Sequence, residues 1–128
     1  MAELIVVVDD DQAFRSIIKI LLERRGYEVK TAPNIRSAMN LIDSISPDLF
    51  ILDVMLSDGN GIDLCRELRR RIESRNTPVM VFSANDDRST IQRSIEAGAT
   101  QFLSKSQLSS RLLFGVHELL TGTAAHTG

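Results

Sequence analysis

Apolar residues along this chain follow two alternating spacings. Leu4-Ile5-Val6-Val7-Val8 is a short β-branched run without alternation, the pattern of a strand buried on both faces. It stops at Asp9-Asp10-Asp11. Phe14, Ile17, Ile18, Leu21 and Leu22 then share one helical face, closed by Gly26. Tyr27 to Ala32 predicts a second, weaker strand. Asn34 stands as the N-cap of a helix presenting Ile35, Ala38, Met39, Leu41 and Ile42. Pro47 ends that connection, and Leu49-Phe50-Ile51-Leu52 predicts a third strand, stopping at Asp53.

The second half keeps the rhythm. Gly59-Asn60-Gly61 marks a turn, followed by a helix with Ile62, Cys65, Leu68 and Ile72 inward and arginines outward. Pro78 opens the strand Val79-Met80-Val81-Phe82, which reaches Ser83. Asp86 or Asp87 caps a helix through Ile91, Ile95 and Ala97, ended by Gly98. Gln101-Phe102-Leu103 predicts a short strand leading to Lys105. Leu112, Leu113, Val116, Leu119 and Leu120 then stripe a final helix. Five strands alternating with five helices argue for an α/β domain. Right-handed crossovers leave a doubly wound, five-stranded parallel sheet in the order 2-1-3-4-5, with helices on both faces.

Composition narrows the class. A chain of 128 residues suits one domain, and 43% hydrophobic with 25% charged residues is ordinary globular composition. Fifteen basic against 17 acidic residues exclude a broadly basic coat for nucleic acid. Cys65, the single cysteine, cannot form an internal disulfide. The longest apolar run, Leu4 to Val8, is five residues, far short of a membrane span or a signal peptide's apolar core. A soluble, cytoplasmic domain is expected, with residues 121–128 as a flexible tail or linker stub.

The candidate chemistry stands at the strand ends. The first strand ends in Asp9 and Asp10, the third in Asp53, the fourth in Ser83 and the fifth in Lys105. In a parallel sheet these carboxyl ends share one edge, and the first and third strands meet at the switch point where ligands bind. Three carboxylates that close repel unless one takes a proton or a cation joins them. An all-oxygen set suits a hard divalent ion, Mg²⁺ before Zn²⁺, with Mn²⁺ as a substitute. Lys105 and Ser83 beside such an ion favour a phosphoryl group. A carboxylate can itself be the nucleophile, and Asp53, alone on the central strand, is best placed to become an aspartyl phosphate. With Asp9, Asp10 and Asp53 set aside, 14 acidic residues face 15 basic ones. The net −2 conceals an acidic pocket on a nearly neutral scaffold.

Val6-Val7-Val8-Asp9-Asp10-Asp11, Leu52-Asp53, Ser83-Ala84 and Lys105 together resemble the response-regulator receiver domains of two-component signalling, chemotaxis regulators among them. The resemblance covers about residues 3 to 120. It implies a flavodoxin-like fold with Asp53 as phosphoacceptor and catalytic nucleophile, served by a histidine kinase or histidine phosphotransfer protein. It also implies Mg²⁺ held by Asp9, Asp10, Asp53 and the Met55 backbone carbonyl. Ser83 matches the family's switch hydroxyl, Phe102 its switch aromatic, Lys105 its catalytic, phosphate-pairing lysine and Gly61 its turn glycine. The face of the fourth helix, fifth strand and fifth helix is where the family dimerises or binds targets. No direct nucleic-acid or membrane contact by this domain is implied.

Two residues depart from the family's pattern. Ser57 replaces a usual proline, and Ser106 follows Lys105 where proline with a cis bond is usual. A non-proline cis bond costs about 2.5–4 kcal/mol, so a trans bond is expected at Ser106. Met55 and Asn85 hold positions that tune phosphoryl lifetime in the family. Met55 cannot orient a water, which points to slow self-hydrolysis.

Three rivals keep the same fold or chemistry. A haloacid-dehalogenase-like phosphatase also uses Asp, Mg²⁺ and Lys, but its Asp-x-Asp-x-Thr/Val pattern is not completed by Asp9-Asp10-Asp11-Gln12-Ala13. A phosphorylation-independent binding module would keep the fold alone. A flavodoxin-like flavin carrier would place its phosphate against the carboxylates. Asp11 reads as a helix cap, and Asp58 and Asp63 as turn and surface residues. Cys65 reads as core, and Arg66, Arg69, Arg70, Arg71 and Arg75 as a solvated helix end. His117 and His126 have neither metal-ligand spacing nor suitable acidic neighbours.

Overall fold

The apolar runs 4–8, 49–52 and 79–83 form the central strands because they can be covered on both faces. The computed structural model describes residues 2–107 and 110–122. Strands β1 (Leu4–Val8), β2 (Glu28–Ala32), β3 (Leu49–Leu52), β4 (Val79–Ser83) and β5 (Gln101–Ser104) form one sheet. All pairings are parallel and the order is β2-β1-β3-β4-β5, as the crossover rules require. Helices α1 (Gln12–Glu23), α2 (Ile35–Ile42), α3 (Gly61–Arg70), α4 (Arg88–Glu96) and α5 (Ser110–Thr121) surround it.

Alternate strand residues feed two cores. Val6, Val8, Phe50, Leu52 and Val81 pack with residues of α2 and α3 and with Ala97. Ile5, Val7, Ile51, Met80 and Phe82 pack on the other face with α1 and α5. Of the expected tail, Thr121 belongs to α5 and Gly122 follows it. Residues 123–128, with His126, lie outside the described residues, as do Met1, Leu108 and Ser109.

Three isoleucines expected inward are exposed: Ile17, Ile72 and Ile95. In α1 the buried pair is Ile18 and Leu22, which leaves Ile17 at the border of the stripe. Helix α3 ends at Arg70 and Arg71 is extended, so the step from Leu68 to Ile72 never forms. In α4 the Asp87 cap starts the helix at Arg88 and so sets its phase. The inward residues are then Thr90, Ser94 and Ala97, with the Ser94 hydroxyl donating to the Thr90 carbonyl at 2.7 Å.

Arg69 is not part of a solvated face. Its Nε donates to the Gly98 carbonyl at 3.0 Å. Its Nη1 reaches the carbonyls of Ser74, Arg75 and Thr77 at 3.1, 3.3 and 2.6 Å. One guanidinium thus ties α3 to the two turns that precede β4 and β5. Arg69→Met keeps the apolar stem and removes every donor. It should lower unfolding stability by about 2 kcal/mol, read from the urea midpoint. Arg70→Met on the exposed side of the same helix should stay within about 0.5 kcal/mol of wild type. Equal midpoints for the two variants would discard the clamp.

Candidate phosphoacceptor site

Register builds the site. Val8 pairs with Leu52 across β1 and β3, so Asp9 and Asp53 leave adjacent strands side by side. The last rungs hold them there. The Asp53 N–H donates to the Val8 carbonyl at 2.9 Å and the Asp9 N–H to the Ala32 carbonyl at 3.1 Å. Ser83 pairs with Ser104 across β4 and β5, and Lys105 follows directly at the start of a 3₁₀ turn.

The three consecutive aspartates divide their tasks. Asp9 turns inward and is buried, its Oδ1 accepting the Asp11 N–H at 2.9 Å. Asp10 stays on the exposed rim. Asp11 caps α1, accepting the N–H groups of Ala13 and Phe14. Arg15 Nη1 donates to the Asp9 carbonyl at 2.6 Å, bracing the turn from behind.

Carboxylate oxygens of Asp9, Asp10 and Asp53 lie within 4.8 Å of one another, close enough to hold a metal ion. The donors are all oxygen and the rim is open at Asp10, which fits a hard divalent cation that keeps some of its waters. Lys105 bridges the deeper pair. Its Nζ stands 2.7 Å from Asp9 Oδ2 and 3.1 Å from Asp53 Oδ2. Asp53 Oδ1 accepts the Val54 N–H at 2.8 Å.

Electrostatics follow from that crowding. Burial, then the neighbouring Asp9 charge, pushes the Asp53 carboxyl above the usual carboxylate range, against the opposing pull of Lys105 and the Val54 N–H. For Lys105, burial alone would favour the neutral amine. Hydrogen bonds and charge from Asp9 and Asp53 outweigh it, so the ammonium holds its proton more tightly than usual.

Behind Asp53 the chain forms a small hairpin, Met55–Leu56 against Gly59–Asn60. Asn60 caps α3 through the Ile62 N–H, and the Gly61 N–H donates to the Val54 carbonyl at 2.7 Å. Asp58, expected as a plain turn residue, accepts the N–H groups of Ile35 and Arg36 at 2.9 and 3.1 Å. These bonds hold its carboxyl below the usual range and moor the hairpin, in place of a proline at Ser57, to the start of α2.

Asp9, Asp10, Asp53 and Lys105 are therefore brought together as the strand ends suggest. Ser83 is buried at the end of β4, but its hydroxyl accepts the Asn85 N–H at 3.1 Å within its own turn. Phe102 is half-buried against the α2–α3 core, beside Val81. The Met55 side chain is exposed. No cis peptide occurs among the described residues, so Lys105–Ser106 is trans. Lys105 reaches both carboxylates nonetheless. Sequence patterning missed Phe14 and Arg15, whose site-facing contacts follow from the first turn of α1.

A lysine-bridged acid cluster thus stands at the switch point of a 2-1-3-4-5 parallel α/β sheet, with carboxylates close enough to hold a cation. The chain belongs to the response-regulator receiver-domain family of two-component signalling, whose family model matches residues 5–116. It is 36% identical over 124 residues to the response regulator MprA of Mycolicibacterium vanbaalenii, across 97% of this chain and 53% of that protein. It thus spans about half the length of that curated relative. The chemotaxis response regulator CheY4 of Vibrio cholerae superposes with a TM-score of 0.88 at 25% identity, covering 94% of this chain and 100% of that one. The BeF3-activated receiver domain of Klebsiella pneumoniae RstA superposes at 0.86 with 29% identity, covering 92% and 98%. Among the described residues, no helix is long and apolar enough to cross a membrane.

Proposed function

We propose that this domain is a phosphoacceptor switch in which Asp53 takes a phosphoryl group from the phosphohistidine of a histidine kinase or histidine phosphotransfer protein. The observation that carries this reading is the Lys105 ammonium bridging Asp9 and Asp53 beside the exposed Asp10. Asp9, Asp10, Asp53 and the Met55 backbone carbonyl would hold Mg²⁺, or Mn²⁺ in its place. Bound there, the ion neutralises charge shared between the carboxylates and the incoming phosphoryl oxygens. An Asp53 carboxylate oxygen attacks phosphorus. The O–P bond forms as the donor's P–N bond breaks, and the imidazole leaves with that electron pair and takes a proton. The RstA receiver domain that superposes on this chain is a BeF3-activated form, and BeF3 is a chemical mimic of a phosphoryl group.

The modification adds about −1.5 to −2 charge, by analogy with other phosphorylated side chains. Lys105 pairs with the new oxygens. The Ser83 hydroxyl turns from the Asn85 N–H toward them, and Phe102 follows into the space vacated. That change reshapes the surface of α4, β5 and α5, where Ile95 is already exposed, for a homodimer or an output partner. Met55 brings no polar group to guide water, so the acyl phosphate is long-lived. The chain catalyses only its own phosphorylation and dephosphorylation, in the cytoplasm.

Intact mass after incubation with acetyl phosphate tests this. Wild type with Mg²⁺ should gain one phosphoryl group, and none when EDTA is present. Asp53→Asn should gain none. Labelling of Asp53→Asn at the wild-type level rejects Asp53 as acceptor, and multiple turnover of p-nitrophenyl phosphate favours a phosphatase instead.

A further inference from the structure

Ser106 supplies no rigid ring to fix the chain after Lys105, yet the lysine is aimed closely at two carboxylates. The missing support comes from α1. Lys105 Nζ lies 4.2 Å from the centroid of the Phe14 ring, over its face. Phe14 in turn meets Phe82 edge to face, with centroids 5.9 Å apart and planes at 70°. The ammonium is therefore held by Asp9, Asp53 and an aromatic face at once.

We propose that Phe14 is a positioning residue for Lys105: its ring face, braced by Phe82, holds the ammonium over Asp9 and Asp53. A cation is drawn to the negative face of the ring, more strongly where water is excluded. Asp9 alone would let the flexible four-carbon stem pivot, and the ring closes the side the carboxylates leave open. The placement has a local cause. Asp11 caps α1 and accepts the Phe14 N–H at 3.3 Å, so Phe14 sits in the first turn, beside the strand end that carries Asp9. Helical side chains lean toward the N-terminus, which brings its ring back over the site. Phe14 is also half-buried against the α1–α5 core, so packing and positioning must be separated by experiment.

The lysine's place in phosphoryl transfer rests on the acceptor reading above, but the clamp itself can be read without any donor or metal. In the folded, unphosphorylated protein, the Lys105 Hε resonances should lie upfield from the ring current of Phe14. Phe14→Leu keeps an apolar side chain and removes the face. It should return those resonances to the position of a free lysine and slow acetyl phosphate labelling by about three- to tenfold. Phe14→Tyr should preserve both. Upfield resonances that survive in Phe14→Leu overturn the proposal. So does wild-type labelling in Phe14→Leu, or a Tyr variant that behaves like the Leu one. If wild type does not label but Phe14→Leu still abolishes the shift, the clamp stands and Asp53 is not the acceptor.

Discussion

Gly61→Ala should cost this domain about 3 kcal/mol or more, among the largest losses any single methyl group can cause here. A Cβ on Gly61 would overlap the Asp53 carbonyl oxygen, and Val54 Cα lies 3.4 Å away. Neither neighbour is a side-chain end that can swing aside; both are backbone, pinned by the rung from Asp53 to Val8 and by the Gly61–Val54 hydrogen bond. Relief requires moving β3 or the start of α3. Either movement displaces Asp53, so acetyl phosphate labelling should fall together with the denaturation midpoint. Gly26→Ala is the comparison. Gly26 has φ +90° with nothing within 4 Å of the added atom, so only backbone strain of about 1–2 kcal/mol applies. Equal losses for the two variants would mean the Gly61 contact relaxes easily.

Lys105→Met should be nearly as costly at neutral pH, because it leaves Asp9 and Asp53 facing each other with no cation. Removing one partner of a fully buried ion pair costs about 3–5 kcal/mol; the open rim at Asp10 brings the expectation here to about 2–3. The pH dependence carries the diagnosis. Asp53 already binds a proton more tightly folded than unfolded, and loss of Lys105 strengthens that preference. A carboxyl raised on folding makes stability fall as pH rises from its ordinary value, near 4, through its raised one. The variant should therefore regain stability on mild acidification. Wild type differs on the alkaline side. Its raised Lys105 contributes fully below the ordinary lysine value, near 10.4, and that contribution is lost as pH climbs through the raised one. Mg²⁺ should raise the melting temperature of Lys105→Met more than that of wild type, since the ion replaces the missing charge. A variant with wild-type stability from pH 5 to 8, indifferent to Mg²⁺, would show that the carboxylates do not need the lysine.

The strand ends were legible because each is a punctuation mark: a β-branched run stopping at Asp9, Asp53, Ser83 or Lys105 leaves little choice of edge in a parallel sheet. Helix phase was less legible. Ile72 and Ile95 both satisfy an apolar spacing, but where a helix starts and stops depends on Asp87 and on the extended Arg71, which local hydrophobicity does not register. Long-range polar roles were hidden for another reason. Arg69, Asp58 and Phe14 act on partners between 5 and 91 positions away in the chain, through contacts that exist only once the layers have packed. A charged residue on a helix and an aromatic near a helix start have ordinary explanations until their partners are placed.

The mooring of the hairpin by Asp58 makes the stretch between Asp53 and Gly61 a ruler. One end is Asp53, the other abuts that same residue's carbonyl, and the middle is moored to the first amides of α2. An added or deleted residue cannot be absorbed by bulging outward, because it would break the mooring or drive Gly61 off Asp53. The connection through residues 43–48 is also tied at both ends, by Asp43 to Arg71 and by Asp48 to Leu4, but neither tie presses on the Asp53 backbone as Gly61 does. For anyone splitting, permuting or grafting this domain, the hairpin is a fixed unit of length, to be moved whole or left alone.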